Sequence, residues 1–240
     1  MHEILLFSQI SPSRHNQVLN VLAGVTGSQP FAYQDQNALF AQLRTPEVAA
    51  SKKKAQTGTP QPGNLQQQQQ KWMHKLTRLV QITADVTPEA TESWRQRVEQ
   101  TPDPSIKDHI AREVTEKNLL DTKEYKDASA YRYIGHHYIL GHRFVKGNVV
   151  VRIFRVLLTQ QQLPADKVLD GPPLSITELQ VLDASGTYLV EVSVRMADRK
   201  NTAIASQAIA ELESFKKNVE GVIDLRVPDR LALDTRVRDA

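Results

Sequence analysis

Residues 131–160 read YRYIGHHYILGHRFVKGNVVVRIFRVLLTQ, and this stretch decides the fold class. It is rich in aromatic and β-branched residues, which favour extended backbone on a pleated, half-buried surface. Lys146-Gly147-Asn148 interrupts it near the middle with residues typical of a tight turn. The stretch therefore predicts two antiparallel strands joined as a hairpin.

Further strands are predicted on both sides of this hairpin. They are His2–Ile10, Lys71–Ala84, Leu174–Asp183, Thr187–Ala197 and the alternating segment Ile223–Val227. Ala184-Ser185-Gly186 separates the third from the fourth and indicates a second hairpin. No regular alternation of strand and helix is present, so parallel βαβ units are not expected. The pattern predicts a mostly β (α+β) fold, with a closed or strongly curved antiparallel sheet and helices packed on it.

Two amphipathic helices are predicted near the chain ends. In the C-terminal helix, apolar residues recur at three- and four-residue steps and share one face: Ile204, Ala208, Leu212, Phe215 and Val219. Asn201 can cap its first amides, and Gly221 can adopt the left-handed turn that ends a helix. In the N-terminal helix the apolar face comprises Val18, Leu19, Leu22 and Val25. Two weaker helices are expected within residues 87–127, the second with Ile106, Ile110 and Val114 at four-residue steps.

Composition limits the functional classes. The chain has 240 residues, 30 basic and 27 acidic side chains and no cysteine, which excludes disulfides and thiolate chemistry. A charge of +3 permits nucleic acid binding without indicating it. No apolar run approaches a transmembrane length of about 18 residues, so we expect no membrane association. Residues 1–240 are expected to form one domain, interrupted at 45–70 by a low-complexity, disordered insertion with five consecutive glutamines.

The common catalytic motifs are absent, and the sequence indicates no catalytic residue, cofactor site or metal site. There is no GxGxxG, GxxxxGK[ST] or GxSxG motif. His136 and His137 would point to opposite faces of a strand, and His142 would lie roughly 20 Å from His136, too far for one ion.

A polar strand face and an aromatic strand are the remaining candidate sites. In Thr187–Ala197, Leu189, Glu191, Ser193 and Arg195 share one face, which is expected to face solvent. If this face instead lined a tunnel, Arg152, Arg155 and Arg195 would suit phosphate. The first hairpin strand is a predicted partner-binding surface through Tyr131, Tyr133, His137 and Tyr138, with internal packing as the alternative.

Both chain ends resemble a known family. HEILLFSQISPSRHNQVLNVLAGVTGSQP at 2–30 and GVIDLRVPDRLALDTRV at 221–237 are similar to fungal Mediator of RNA polymerase II transcription subunit 18. The resemblance implies a nuclear β-barrel of the head module. It would pair with subunit 20, hold the C-terminal helix of subunit 8, and relay regulatory signals to the RNA polymerase II machinery without direct sequence-specific nucleic acid binding.

Two alternatives remain: a nucleic-acid-binding barrel, because Tyr131, Tyr133, Tyr138 and Phe144 alternate with basic residues as in a base-stacking sheet, and an enzyme, which the resemblance raises. The family barrel is similar to tunnel-shaped RNA triphosphatases, whose first strand carries a Glu-x-Glu-x-Lys metal motif. Here Glu3 is followed at that spacing by Leu5 and Phe7, so two motif positions are apolar. Because triphosphate hydrolysis needs a metal to neutralise charge, we predict a noncatalytic interaction subunit.

Overall fold

A computed structural model describes residues 1–43, 77–87 and 93–237. The predicted insertion at 45–70 lies outside the described residues and stays a prediction. In the described part the α-helices are α1 (His15–Thr26), α2 (Ala165–Asp170) and α3 (Thr202–Asn218). The strands are β1 (His2–Ile10), β2 (Phe31–Gln42), β3 (Thr77–Asp85), β4 (Trp94–Glu99), β5 (Ile110–Asn118), β6 (Tyr131–Lys146), β7 (Val149–Thr159), β8 (Leu179–Val181), β9 (Tyr188–Met196) and β10 (Arg236–Val237). None of the helices in these ranges combines the length and apolarity needed to cross a bilayer.

Eight of the strands form a closed antiparallel barrel. Their order is β3-β2-β6-β7-β9-β1-β5-β4, and pairing of β4 with β3 closes the ring. Closure removes the free sheet edges that would otherwise pair with other chains. The predicted β6–β7 hairpin is confirmed, with Gly147 in the turn at a φ of 59°. The predicted antiparallel barrel is thus confirmed.

The main apolar core lies outside the barrel, beneath the two long helices. Val18 and Leu22 of α1 and Leu212 and Phe215 of α3 are each at most 2% exposed. They pack on outward-facing side chains of the sheet, which include Ile4, Leu6, Val151, Ile153, Val190, Val192 and Val194. Burying this apolar area is the main favourable contribution to folding. The helices from both chain ends therefore hold one side of the barrel.

The predicted boundaries of α3 are confirmed by its caps. The Asn201 side chain accepts hydrogen bonds from the amides of Ala203 and Ile204, and Gly221 has a φ of 80°. Ala208, Leu212, Phe215 and Val219 are buried as predicted, whereas Ile204 is 40% exposed. Ile204 lies in the first turn of α3 and is the exception on the predicted apolar face.

The helices predicted within residues 87–127 are wrong, because strands β4 and β5 lie there. Ile110 and Val114 are four residues apart, and four is a multiple of the two-residue strand period as well as close to one helical turn. Both side chains are fully buried on one face of β5, which pairs with β1. These residues belong to the barrel itself.

Two other strand predictions need correction. β8 does not form a hairpin with β9, because both pair with β7 instead. The segment Ile223–Val227 is extended and buries Ile223 and Leu225, but it joins the sheet through an isolated bridge between Arg226 and Phe7. β2 was not predicted, since its sequence FAYQDQNALFAQ mixes polar and apolar residues on both faces.

The C-terminal segment fills a split in the barrel wall. β3 and β4 pair only over Gln81–Ala84 and Trp94–Arg97. Beyond that stretch, the amide of Leu79 donates to the carbonyl of Thr235 at 3.0 Å, and the Thr235 hydroxyl donates to the carbonyl of Glu99 at 2.8 Å. The last described residues thus satisfy backbone groups that the split would leave unpaired.

At Gly141 of β6 the backbone of β7 leaves no room for a side chain, so this position should not tolerate substitution. A Cβ on Gly141 would lie 2.2 Å from the carbonyl oxygen of Ile153, whereas one on Gly135 of the same strand would meet nothing within 4 Å. We expect Gly141→Ala to lower the free energy of unfolding by about 3 kcal/mol or more. Gly135→Ala should change it by less than about 1 kcal/mol. Urea denaturation of both variants measures the difference, and equal midpoints would contradict the prediction.

Candidate functional site

The strand register shows which side chains face the barrel interior. Side chains on one strand share a face with the residues directly opposite on its neighbours. Following these pairs around the ring places thirteen charged residues on the inner face: Glu3, Asp35, Asp85, Glu99, Glu116 and Glu191, with Arg95, Arg97, Arg112, Arg132, Arg143, Arg152 and Arg195. The prediction that the Glu191–Arg195 face meets solvent is wrong, since this face lines the interior.

Glu3 is the centre of an ion-pair network at one end of the interior. Its carboxylate lies 2.7 Å from Arg97, 3.1 Å from Arg112 and 3.3 Å from Arg195. Glu99 and Glu116 complete the network, because Glu99 pairs with Arg97 and Arg112, and Glu116 pairs with Arg97 and Arg195. Three carboxylates therefore face three guanidinium groups.

The electrostatics of Glu3 follow from this arrangement. Glu3 is 1% exposed, and burial alone would raise the pKa of its carboxyl. The charges of Arg97, Arg112 and Arg195, and the hydrogen bond from Arg112, outweigh burial and hold the pKa below its usual value of 4.5. Glu3 is consequently ionised at neutral pH, as its three partners require.

A second interior cluster surrounds Arg152. Its Nε donates to the Tyr33 hydroxyl at 3.0 Å, and its guanidinium lies 3.5 Å from Glu191 and 3.7 Å from Asp35. Burial raises the pKa of Tyr33 to about 12 and also raises the pKa of Asp35. The guanidinium of Arg152 is therefore already hydrogen-bonded or ion-paired with residues inside the barrel.

The interior does not fit the metal motif of the tunnel enzymes. Leu5 and Phe7 share the inner face of β1 with Glu3, and Leu5 is fully buried. Both oxygens of Glu3 already receive hydrogen bonds from arginines. Among the described residues, no three histidine or carboxylate side chains converge as metal ligands. Glu3 would therefore have to give up its arginine contacts before it could bind a divalent ion.

Arg155 lies on a different face of the barrel from Arg152 and Arg195, although the tunnel hypothesis groups the three as a phosphate site. Arg152 and Arg195 face the interior, whereas Arg155 lies on the outer face with its guanidinium carbon 3.8 Å from the centre of the Tyr188 ring. The Tyr188 ring stacks in turn on His15, at a centroid distance of 3.9 Å. The three arginines therefore do not form one phosphate site.

The predicted partner-binding residues of β6 occupy three environments. Tyr131 and Tyr133 are half-buried on the outer face, beside Phe40 of β2. His137 faces the interior opposite Asn37, where burial lowers its pKa to about 4. Tyr138 is 1% exposed and packs on Leu157 and Leu179. A partner could therefore reach the two tyrosines at 131 and 133, but not Tyr138 in this conformation.

The Glu3 network predicts a pH-dependent loss of stability. Because the pKa of Glu3 is lower in the folded chain than its usual value of 4.5, its contribution is complete above pH 4.5 and is lost as pH falls through the folded pKa. Glu3→Gln should lower the free energy of unfolding at pH 7 by about 3–5 kcal/mol, since it leaves buried arginines under-neutralised. It should also flatten the acid limb of the pH profile.

The matched control is Glu113→Gln, which changes an exposed carboxylate on the outer face of the same pair of strands. Urea unfolding of the three proteins between pH 3 and pH 7, roughly the range over which carboxylates titrate, measures both effects. Equal stability of the Glu3 and Glu113 variants at pH 7 would show that the network contributes little.

Comparison of the sequence with known proteins identifies its relatives. The sequence profile of the family described as Med18 protein matches residues 2–236. Among curated relatives, Mediator of RNA polymerase II transcription subunit 18 of Coccidioides immitis is 25% identical over 99% of this chain and 100% of its own length. The Yarrowia lipolytica subunit 18 is 24% identical over the same shares.

A solved structure has the same fold. A chain in the structure of the Schizosaccharomyces pombe Mediator head module superimposes with a TM-score of 0.68 at 16% identity, covering 95% of this chain and 99% of that chain. The match of the family profile to nearly the whole sequence decides the family. The chain belongs to the Med18 protein family, the subunit 18 family of the Mediator of RNA polymerase II transcription.

Proposed function

We propose that this protein is a noncatalytic subunit of the Mediator head module in the nucleus, and that its 240 residues act as one domain. The observation that carries the proposal is the family match over residues 2–236, together with full-length relatives named as Mediator subunit 18. Its partners are subunit 20, with which it forms a heterodimer, and the C-terminal helix of subunit 8. Through them it relays regulatory signals to RNA polymerase II.

The charge balance of the interior supports an assembly role over catalysis. A triphosphatase needs uncommitted cations and metal-binding carboxylates inside its barrel, so that charge on the transferred phosphate is neutralised. In this chain Arg97, Arg112 and Arg195 are already paired with Glu3, Glu99 and Glu116. An incoming triphosphate would have to displace these pairs, of which the Glu3–Arg112 pair is buried.

The outer face of β6 is the proposed partner surface. Tyr131 and Tyr133 are half-buried there, and Ile134 between Tyr133 and Gly135 is 40% exposed. Ile134 protrudes because the pairing of β2 with β6 shifts register at Leu39 and Phe40. Half-buried aromatic side chains beside an exposed aliphatic residue are the composition of an interface centre. His137 and Tyr138 would support this surface from within.

The assembly proposal is tested by purification from the native nucleus. Tagged protein is captured from nuclear extract and washed at roughly 0.5 M salt, which suppresses phosphate contacts, and retained proteins are identified by mass spectrometry. We expect subunits 20 and 8 with other Mediator proteins, because an apolar interface tolerates salt. Recovery of nucleic-acid-binding or capping factors in their place would contradict the proposal.

The partner surface is tested in the same experiment. Tyr133→Ser and Ile134→Ser together should reduce recovery of at least one of the two partners by about tenfold, since interface anchors contribute about 1–2 kcal/mol each or more. Leu231→Ser, at a residue that is 77% exposed in the C-terminal segment, is the matched control and should leave recovery unchanged. Unchanged recovery of both partners by the β6 variant would exclude this surface.

The absence of catalysis is tested directly. Purified protein is incubated with triphosphate-ended RNA and Mg²⁺ or Mn²⁺, and released phosphate is measured. We expect the wild-type protein and the variant Arg195→Ala to release phosphate at the same background rate. Metal-dependent release that Arg195→Ala abolishes would establish the tunnel enzyme instead.

A further inference from the structure

Two strands lie end to end along one edge of β7 and leave a gap between them. β9 pairs with β7 as far as Phe154, and β8 pairs with β7 from Leu157 onward. The amide of Leu182, just after β8, donates to the carbonyl of Val156. A cavity of about 160 Å³ opens where the two strands fail to meet. We call this cavity the strand gap; Arg155, Val156, Leu182, Asp183, Thr187 and Leu189 line it.

Arg155 in the strand gap lacks the carboxylate partner that the interior arginines have. Its Nε is buried without a hydrogen-bond partner, and among the described residues its contact is the face of Tyr188 at 3.8 Å. A cation–π contact is worth about 0.5–2 kcal/mol, and the Arg155 side chain is half-buried, so part of its guanidinium remains accessible. The guanidinium is therefore poised for an anion that this chain does not supply.

The surroundings of Arg155 favour an anion. His15 and His142 lie close by, with ring centroids 5.4 Å apart, and each has one buried ring nitrogen without a partner. Burial is the main cause of the lowered pKa of His15, and the proximity of His142 and Arg155 lowers it further. The Asp183 carboxylate, which also lines the strand gap, accepts hydrogen bonds from the amide and hydroxyl of Ser185 at 2.9 Å and 2.6 Å, so its partners are groups other than Arg155.

Apolar side chains form half of the lining of the strand gap, beside the polar Gln9 and Thr187, and continue beyond it. Val156 and Leu189 lie in its wall, while Leu182 is 60% exposed and Val181 37% exposed at its rim. Leu158, also 37% exposed, extends the apolar surface along β7. A small free anion would leave this surface in water, whereas a polypeptide could cover it while delivering a charge.

We propose that the strand gap binds a partner polypeptide that presents a carboxylate next to an aliphatic side chain. The carboxylate pairs with Arg155, and the aliphatic side chain packs against Leu182 and Leu189. The inference rests on the proposed assembly function for its biological setting. Its binding chemistry depends on the residues of the strand gap alone.

The test uses N-acetyl-leucine, which carries a carboxylate and an isobutyl group on one small molecule. It is titrated into the ¹⁵N-labelled full-length protein, and amide chemical shifts are followed by NMR. We expect saturable shifts at residues 181–183 and at Thr187 and Leu189. N-acetyl-leucinamide lacks the charge and N-acetylglycine lacks the side chain, so each should bind about tenfold more weakly or not at all.

Single substitutions test which residues of the strand gap contribute to the binding of N-acetyl-leucine. Arg155→Gln should weaken N-acetyl-leucine binding about tenfold or more while leaving the weak binding of N-acetyl-leucinamide unchanged. Leu182→Ser should weaken binding of both ligands. Lys117→Gln, at an exposed position on β5, is the control for removal of a positive charge and should change neither.

Three results would overturn the proposal: shifts confined to other residues, equal binding of the acid and the amide to wild-type protein, or full affinity in Arg155→Gln. The first two need no variant, so a variant that fails to fold does not decide the outcome. The titration uses no other Mediator subunit. A failed partner purification with a positive titration would therefore refute the assembly function without refuting ligand binding in the strand gap.

Discussion

Charge pairing inside a closed barrel is the constraint on which the rest of this structure depends. Alternate residues of each strand point inward, and closure of β4 on β3 brings those side chains around one interior. Glu3 and Arg112 are buried there, whereas Glu116 and Arg195 are exposed. A buried charge without a partner is costly, so six acidic residues and seven arginines on the inner face require a register that brings opposite charges together. A slip of one residue in β1 would point Glu3 into the apolar layer beneath the helices and Ile4 into the interior.

The placement of charged side chains inside the barrel and of the main apolar core outside it bears on the proposed function. The larger apolar clusters point outward, where α1, α3, α2 and the extended segment at Ile223 and Leu225 cover them. The barrel interior combines the paired charges with apolar side chains such as Leu5 and Phe154, and Ile134 and Leu182 are exposed apolar positions. Chemistry on a triphosphate would need uncommitted charges in the interior. The paired charges therefore support the assembly role proposed for this member of the Mediator subunit 18 family.

Local signals in the sequence predicted part of this fold and little of the site. β1, the β6–β7 turn and the caps of α3 were predicted because neighbouring residues determine them. β2, β4 and β5 were missed or assigned as helices, because polar residues were assumed to face solvent and the Ile110–Val114 spacing fits both periods. The partners of Glu3 lie 94, 109 and 192 residues away, and the strand gap exists only because two strands share one edge of β7. Such contacts depend on register across the whole chain.

The position of β1 in the barrel has a consequence for biosynthesis. β1 is translated before every strand with which it pairs, because it lies between β5 and β9 and is bridged to Arg226. At about 5–20 residues per second, translation reaches residue 196 roughly 10–40 s after β1 is made. Throughout that interval Leu5, Leu6 and Phe7 lack strand β9, which covers one edge of β1 in the folded barrel. β1 therefore cannot take its place in the closed barrel until β9 has been translated.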